Sequence, residues 1–141
     1  MPRWVIESQL ARCHRPGFDD PGPGEPVSDA DVDRWLEQAA RLGIRSILCI
    51  LARPQLARFA ALPGGLLAYY RNAGLEAEMI EAEDDQFPPL TPEQLESVWS
   101  AYQRLPKPVL VHCGAGVNRT GAAVAYIREC LGGGDDQPPE S

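Results

Sequence analysis

The chain has 141 residues, 13 basic and 20 acidic side chains, a formal charge of −7 and 44% apolar residues. That length holds one domain whose core needs no metal or disulfide staple, and the apolar fraction excludes a disordered chain. The acidic balance weighs against a nucleic-acid partner, which would meet a basic stripe, and no window approaches the roughly 18 apolar residues of a membrane span.

Residues 4–11 are partly apolar and read as one or two edge strands. Residues 15–26 hold Pro16, Gly17, Pro21, Gly22, Pro23, Gly24 and Pro26, the composition of an irregular surface loop. Ser28-Asp29-Ala30-Asp31 resembles a capping box, after which Val32, Trp35, Leu36, Ala39 and Leu42 recur at helical spacing up to a stop at Gly43. Residues 44–51 are apolar and β-branched enough for a buried strand, residues 63–72 are helical up to Gly74, and residues 75–80 alternate as a half-buried strand does.

The acidic segment 81–90 closes on Pro88-Pro89 and reads as a loop. Thr91-Pro92-Glu93-Gln94 supplies a cap, a proline at the first helical position and a glutamine three residues after the cap. The helix stripe follows as Leu95, Val98, Trp99, Tyr102 and Leu105. Residues 108–112 form a short apolar strand; after a glycine-rich turn, residues 122–131 are helical and Gly132-Gly133-Gly134 ends them. Residues 1–134 are expected to form one domain and the polar segment 135–141 a disordered tail. Strands alternating with helices predict an α/β fold with a mostly parallel central sheet flanked by helices, and ligands in such sheets sit at the carboxyl ends of strands.

The N-terminal residues carry no apolar run long enough for a signal peptide, so a reducing cytoplasm is the expected compartment. Cys13, Cys49, Cys113 and Cys130 are then expected as free thiols, and without a CxxC pair among them no metal site or cofactor is expected.

One segment carries chemistry: Val109-Leu110-Val111-His112-Cys113-Gly114-Ala115-Gly116-Val117-Asn118-Arg119-Thr120-Gly121. It reads as a strand ending at Cys113, a turn, and a helix opened by Arg119. Gly114 and Gly116 allow the turn to aim successive N–H groups inward, and the helix N-terminus adds unsatisfied donors and partial positive charge. The turn through Ala115, Val117 and Asn118 is thus a cradle for a tetrahedral dianion. The planar fork of Arg119 suits two phosphate oxygens. The same donors favour the thiolate of Cys113, which is placed for in-line attack on phosphorus, and the Thr120 hydroxyl can steady the sulfur when it leaves. Protonating the leaving group needs a carboxylic acid on a neighbouring loop, and Asp84 and Asp85 are the candidates. Read alone, a cysteine before a glycine-rich turn is an ordinary core residue. The joint occurrence of strand, cysteine, glycines, arginine and Thr-Gly helix start points to phosphate-ester chemistry.

His112-Cys113-x5-Arg119-Thr120-Gly121 resembles the signature loop of the cysteine-dependent protein tyrosine and dual-specificity phosphatases, and residues 4–132 are similar to the small atypical dual-specificity members. The resemblance implies a phosphocysteine intermediate on Cys113 and an aspartate that serves first as acid and then as base. An aspartate three residues before a Pro-Pro pair, just ahead of a helix, resembles the family's acid loop; that picks Asp85, with Asp84 the alternative. His112 is given a supporting role, since alternation puts it on the strand face opposite Cys113. Cys49 corresponds to a position where some members keep a second cysteine that traps the oxidised nucleophile as a disulfide; a buried core thiol is the other reading. The implied activity is metal-independent hydrolysis of phosphotyrosine, and of phosphoserine or phosphothreonine, with a phosphorylated protein or small phosphoester as partner.

The chain departs from the family in two ways. Gly114, Ala115, Val117 and Asn118 include no cation, which weighs against a lipid headgroup substrate. Relatives usually continue for one or two helices after the signature helix, so neither the cover of that helix nor the oligomeric state is legible. Asn118-Arg119-Thr120-Gly121 also resembles the loop of phosphatase-like RNA 5′-triphosphatases, against which the charge of −7 weighs. A non-catalytic phosphate-binding pseudophosphatase is the third reading, and the presence of Cys113, Arg119 and an aspartate together argues against it.

Overall fold

The computed structural model describes residues 2–19, 21–84 and 86–132. Ten elements follow in chain order: β1 (Arg3–Ile6), β2 (Leu10–Cys13), α1 (Asp29–Arg41), β3 (Ser46–Leu51), a 3-10 helix (Arg53–Phe59), α2 (Leu66–Asn72), β4 (Glu76–Glu81), α3 (Pro92–Arg104), β5 (Val109–His112) and α4 (Asn118–Cys130). The strands form one sheet in the order β1-β2-β5-β3-β4, parallel throughout except for the antiparallel pair β1 and β2. This is the mostly parallel, helix-flanked sheet that the alternation of elements predicts.

Every residue of β3 and β5 is buried, as expected of central parallel strands covered on both faces. Their side chains divide by alternation. Ile47, Cys49, Leu51 and Leu110 pack with Trp35, Ala39, Leu66 and Tyr70 of α1 and α2. Leu48, Ile50, Val109 and Val111 pack with Val98, Ala101, Tyr102, Ala123, Val124 and Ile127 of α3 and α4. The chain therefore leaves β3 toward one face and its neighbour β5 toward the other. The carboxyl ends of β3 and β5 flank a topological switch point, where a crevice opens in an open α/β sheet.

Two expectations need correction. Residues 4–11 do not simply make the sheet edge: β1 is the edge, but β2 lies inside, hydrogen-bonded to β5 in parallel register from Leu10 opposite Val109 to Cys13 opposite His112. The helix expected from residue 63 begins only at Leu66, because Gly64 and Gly65 both take positive φ, 74° and 90°, and break the preceding turn. The 3-10 helix Arg53–Phe59 has no counterpart in the sequence reading. The tail 135–141 lies outside the described residues.

Two of the three 13-residue helices, α1 and α3, start on capping boxes. In α1, Ser28 and Asp31 exchange side-chain and backbone bonds. In α3, the Thr91 hydroxyl accepts from the Gln94 N–H at 3.1 Å while Gln94 Oε1 accepts from the Thr91 N–H at 2.8 Å. The Gln94 side chain does more, donating to the Glu81 carbonyl and accepting from Gln86 Nε2, so the helix start brackets both ends of the acidic loop. Replacing the cap, Thr91→Ala, is expected to cost about 1 kcal/mol. The measurement is the urea unfolding midpoint, which should fall with an unchanged denaturant slope.

Candidate active site

The crevice between β3 and β5 is filled by the segment that the sequence singles out. Cys113 follows β5 directly and is 2% exposed; Arg119, in the first turn of α4, is 1% exposed. The loop between them is shaped from behind by β2 and the turn after it. The Arg15 N–H donates to the Gly114 carbonyl at 2.8 Å. Arg12 Nη2 donates to the Gly116 carbonyl at 2.9 Å and to the Val117 carbonyl at 3.3 Å. Carbonyls drawn to that side turn the adjacent amides toward the opposite one, which is the sense an anion cradle requires. Unlike α1 and α3, α4 has no side-chain cap: Val117 occupies the N-cap position without an acceptor to offer, so the first-turn amides remain for a ligand.

Only one of the two turn glycines is needed for its backbone angle. Gly116 has φ +81°, and a Cβ there would lie 2.6 Å from the Cys13 carbonyl oxygen and 2.7 Å from the His14 nitrogen. Gly114 is needed for room, since a Cβ there would come 3.3 Å from Arg119 Nη2 and 3.6 Å from Gln55 Nε2.

The Arg119 guanidinium is held on one side and open on the other. Nη1 donates to Gln55 Oε1 and to the Ala82 carbonyl, each at 2.9 Å. Nη2 donates to Asp84 Oδ1 at 3.0 Å. The Nε–H and one Nη2 hydrogen have no acceptor among the described residues, and two such donors suffice to grip two phosphate oxygens. Asp84, on the acidic loop, is thus brought to the cradle, while Asp85 lies outside the described residues. Thr120 Oγ1 is buried without a hydrogen-bond partner among the described residues, neither Cys113 nor any other.

His112 faces away from Cys113, as its alternation predicts. It is fully buried against the edges of the Trp35 and Tyr70 rings. Its Nδ1 sits 3.0 Å from the Cys113 carbonyl, which can only accept, so Nδ1 carries the hydrogen. Nε2 then accepts from the Tyr70 hydroxyl at 2.9 Å. Burial pulls the histidine down to about 4, so the ring is neutral around pH 7. It fixes the Cys113 carbonyl from the α1–α2 side of the sheet. Cys49 sits across from His112 in register and packs in the α1–α2 layer, whereas Cys113 packs in the α3–α4 layer. Burial pushes the Cys49 thiol far up; the charge of Arg119 pulls it slightly back, and Cys113 adds a smaller push in the same direction as burial.

Sequence reasoning missed Arg12, Arg15, Gln55 and Tyr70. None carries a local signal: Arg12 lies just past the predicted edge-strand stretch 4–11, and Gln55 falls in a stretch without a predicted element. Only the topology that places β2 beside β5, and β3 on its other side, brings them to the loop.

A strand, a glycine-containing loop and a helix at the switch point of a helix-flanked sheet, with a buried thiol at the strand end and a buried arginine in the helix's first turn, fit the architecture of a cysteine-type phosphatase. The pattern of the tyrosine phosphatase family matches residues 55–137, more than half of the 141 residues, and the chain belongs to that family. Comparison with curated proteins finds no significant match. Among solved structures the chain is similar to Tk-PTP in its active form, at 20% identity and a TM-score of 0.59, over 93% of this chain and 74% of that one. The core catalytic domain of the PP-IP phosphatase SIW14 from S. cerevisiae is similar at 18% identity and a TM-score of 0.58, over 93% and 66% of the two chains. Kinase associated phosphatase (KAP), with serine in place of its catalytic cysteine, is similar at 18% identity and a TM-score of 0.64, over 86% and 65%. These likenesses show the fold. Among the described residues no helix is long and apolar enough to cross a membrane.

Two outcomes follow from the geometry. Gly116→Ala drives a methyl into the Cys13–His14 backbone and is expected to cost about 1–3 kcal/mol. Gly43→Ala, at φ +73° with open space around it, carries only the backbone strain and should cost less in the same urea titration. For His112, the unfolded side chain binds a proton near pH 6.5 while the folded one refuses it down to about 4. Stability is therefore expected to fall as pH drops through that window, and His112→Asn should flatten the fall by up to about 1.4 kcal/mol per pH unit in unfolding titrations.

Proposed function

We propose that the chain is a metal-independent phosphomonoester hydrolase acting on phosphotyrosine in proteins, and on phosphoserine or phosphothreonine more slowly. The observation that carries this reading is the loop itself: Cys113, 2% exposed, at one end, and at the other Arg119, whose bonds to Gln55, Ala82 and Asp84 leave donors unmatched among the described residues, with the uncapped first turn of α4. With Cys113 this buried, the longer arm of an aryl phosphate reaches the thiol more readily than the shorter serine and threonine esters do. The charge of the phosphoryl group is met by the guanidinium, the helix end and backbone amides, so no step calls for a metal.

In the first step Cys113 Sγ bonds to phosphorus while the bond from phosphorus to the ester oxygen breaks, and that oxygen takes a proton from a carboxylic acid. We assign the acid to Asp85 and give Asp84, seen on Arg119, the task of orienting the guanidinium. In the second step the aspartate takes a proton from water, whose oxygen bonds to phosphorus as the sulfur leaves. The unpartnered Thr120 hydroxyl is available to the departing thiolate. Polyanionic substrates such as an RNA 5′-triphosphate fit less well. The loop's own side chains add no cation beyond Arg119, and Glu81, Glu83 and Asp84 line the facing loop.

The test is hydrolysis of p-nitrophenyl phosphate and of a phosphotyrosine peptide in EDTA. Chelation is expected to change nothing and Cys113→Ser to abolish turnover; full activity in that variant overturns the mechanism. Asp85→Ala is expected to lose about 10²–10⁴-fold in kcat, and Asp84→Ala distinctly less. The reverse order moves the acid to Asp84, and phosphate release from a 5′-triphosphate RNA in preference to the peptide replaces the substrate class.

A further inference from the structure

Beyond its contact with Arg119, the Gln55 amide is fixed in one orientation beside the loop, with its nitrogen on the far side. Oε1 accepts from two donors, the Ala52 N–H at 2.8 Å and Arg119 Nη1 at 2.9 Å. Turning the amide over would set an –NH2 against two N–H groups, so the nitrogen is held on the far side. Nε2 has no acceptor among the described residues. It approaches within 3.6 Å of the point a Cβ on Gly114 would occupy, and Arg119 Nη2 approaches the same point at 3.3 Å. Two donors from different elements thus converge beside the residue that follows Cys113, in space left open because residue 114 has no side chain.

We propose that Gln55 is a substrate-binding residue whose Nε2–H donates to an oxygen of the bound phosphoryl group alongside Arg119. The assignment rests on the reading of residues 113–119 as a phosphate cradle. The 3-10 helix Arg53–Phe59 therefore has two tasks at once: its first turn, closed by the Gln55 capping bond to Ala52, orients Arg119 through the oxygen and reaches substrate through the nitrogen. A charge-bearing acceptor makes this donor worth more than a neutral hydrogen bond.

The oxygen and nitrogen roles separate in one substitution. Gln55→Glu keeps the acceptor for Ala52 and Arg119 but replaces the donor with a negative oxygen facing the dianion. It is expected to raise the KM for p-nitrophenyl phosphate and the dissociation constant of inorganic phosphate about tenfold to a hundredfold, with the urea midpoint near that of the wild type. Gln55→Met, which removes both polar atoms at similar length, should weaken phosphate less than Gln55→Glu does, because it brings no repulsion. If Gln55 serves only to hold Arg119, the order inverts: Gln55→Glu binds phosphate as the wild type does and Gln55→Met is the weaker. That result overturns the assignment while leaving Cys113-dependent turnover, and the phosphatase reading, in place. A wild-type chain that neither binds phosphate nor turns over the aryl ester removes both.

Discussion

Everything in the site depends on which way the peptide groups between Cys113 and Arg119 face. A short loop has as many carbonyls as amides, and left to itself it would offer an anion both signs of dipole. Here β2 and the turn after it settle the matter. The backbone of Arg15 and the side chain of Arg12 take the carbonyls of Gly114, Gly116 and Val117, and Gly116 lies so close to Cys13 and His14 that no side chain fits between. On the other face His112, neutral and locked by Tyr70, takes the carbonyl of Cys113. Carbonyls fixed in this way leave the loop's amides to a ligand, and preorganisation is what makes backbone amides effective against developing charge.

The burial of Arg119 fits the same logic. A guanidinium at 1% exposure is costly to bury unless its donors are matched. Gln55, Ala82 and Asp84 match part of the set, from three different stretches of chain, and leave the remainder to a ligand. The charge is thereby held in a fixed direction in a region of low dielectric, rather than swinging on a flexible stem in water.

Much of this was legible in the sequence, and the dividing line is physical. The helices α1 and α3 announce themselves through capping boxes and apolar spacing, and the parallel sheet through the alternation of strands with helices. The cradle is legible because Cys113, its glycines, Arg119 and Thr120 lie within a few residues of each other, where local conformation dictates their meeting. The supporting groups are not legible because they meet the loop only through tertiary structure. Arg12 is in a four-residue strand whose interior place follows from pairing with β5, which no property of residues 10–13 encodes. The two glycines looked alike in sequence; their different tasks, one of backbone angle and one of room, exist only once Cys13 and Gln55 are beside them.

The bonds that set the site are also among the longest in sequence. Arg12 and Gly116 are 104 residues apart, Arg119 and Gln55 64, and Arg119 and Ala82 37. Contacts of that span form only after the entropy of closing the intervening chain has been met, late in folding rather than early. β5 enters the sheet between β2 and β3, so the slot it fills stays empty until residues 109–112 have left the ribosome. A nascent or partly folded chain therefore presents Cys113 as an ordinary thiol. On the proposed mechanism, its capacity to attack phosphorus comes into being only with the closed sheet, and hydrolysis is withheld from species short of the native one.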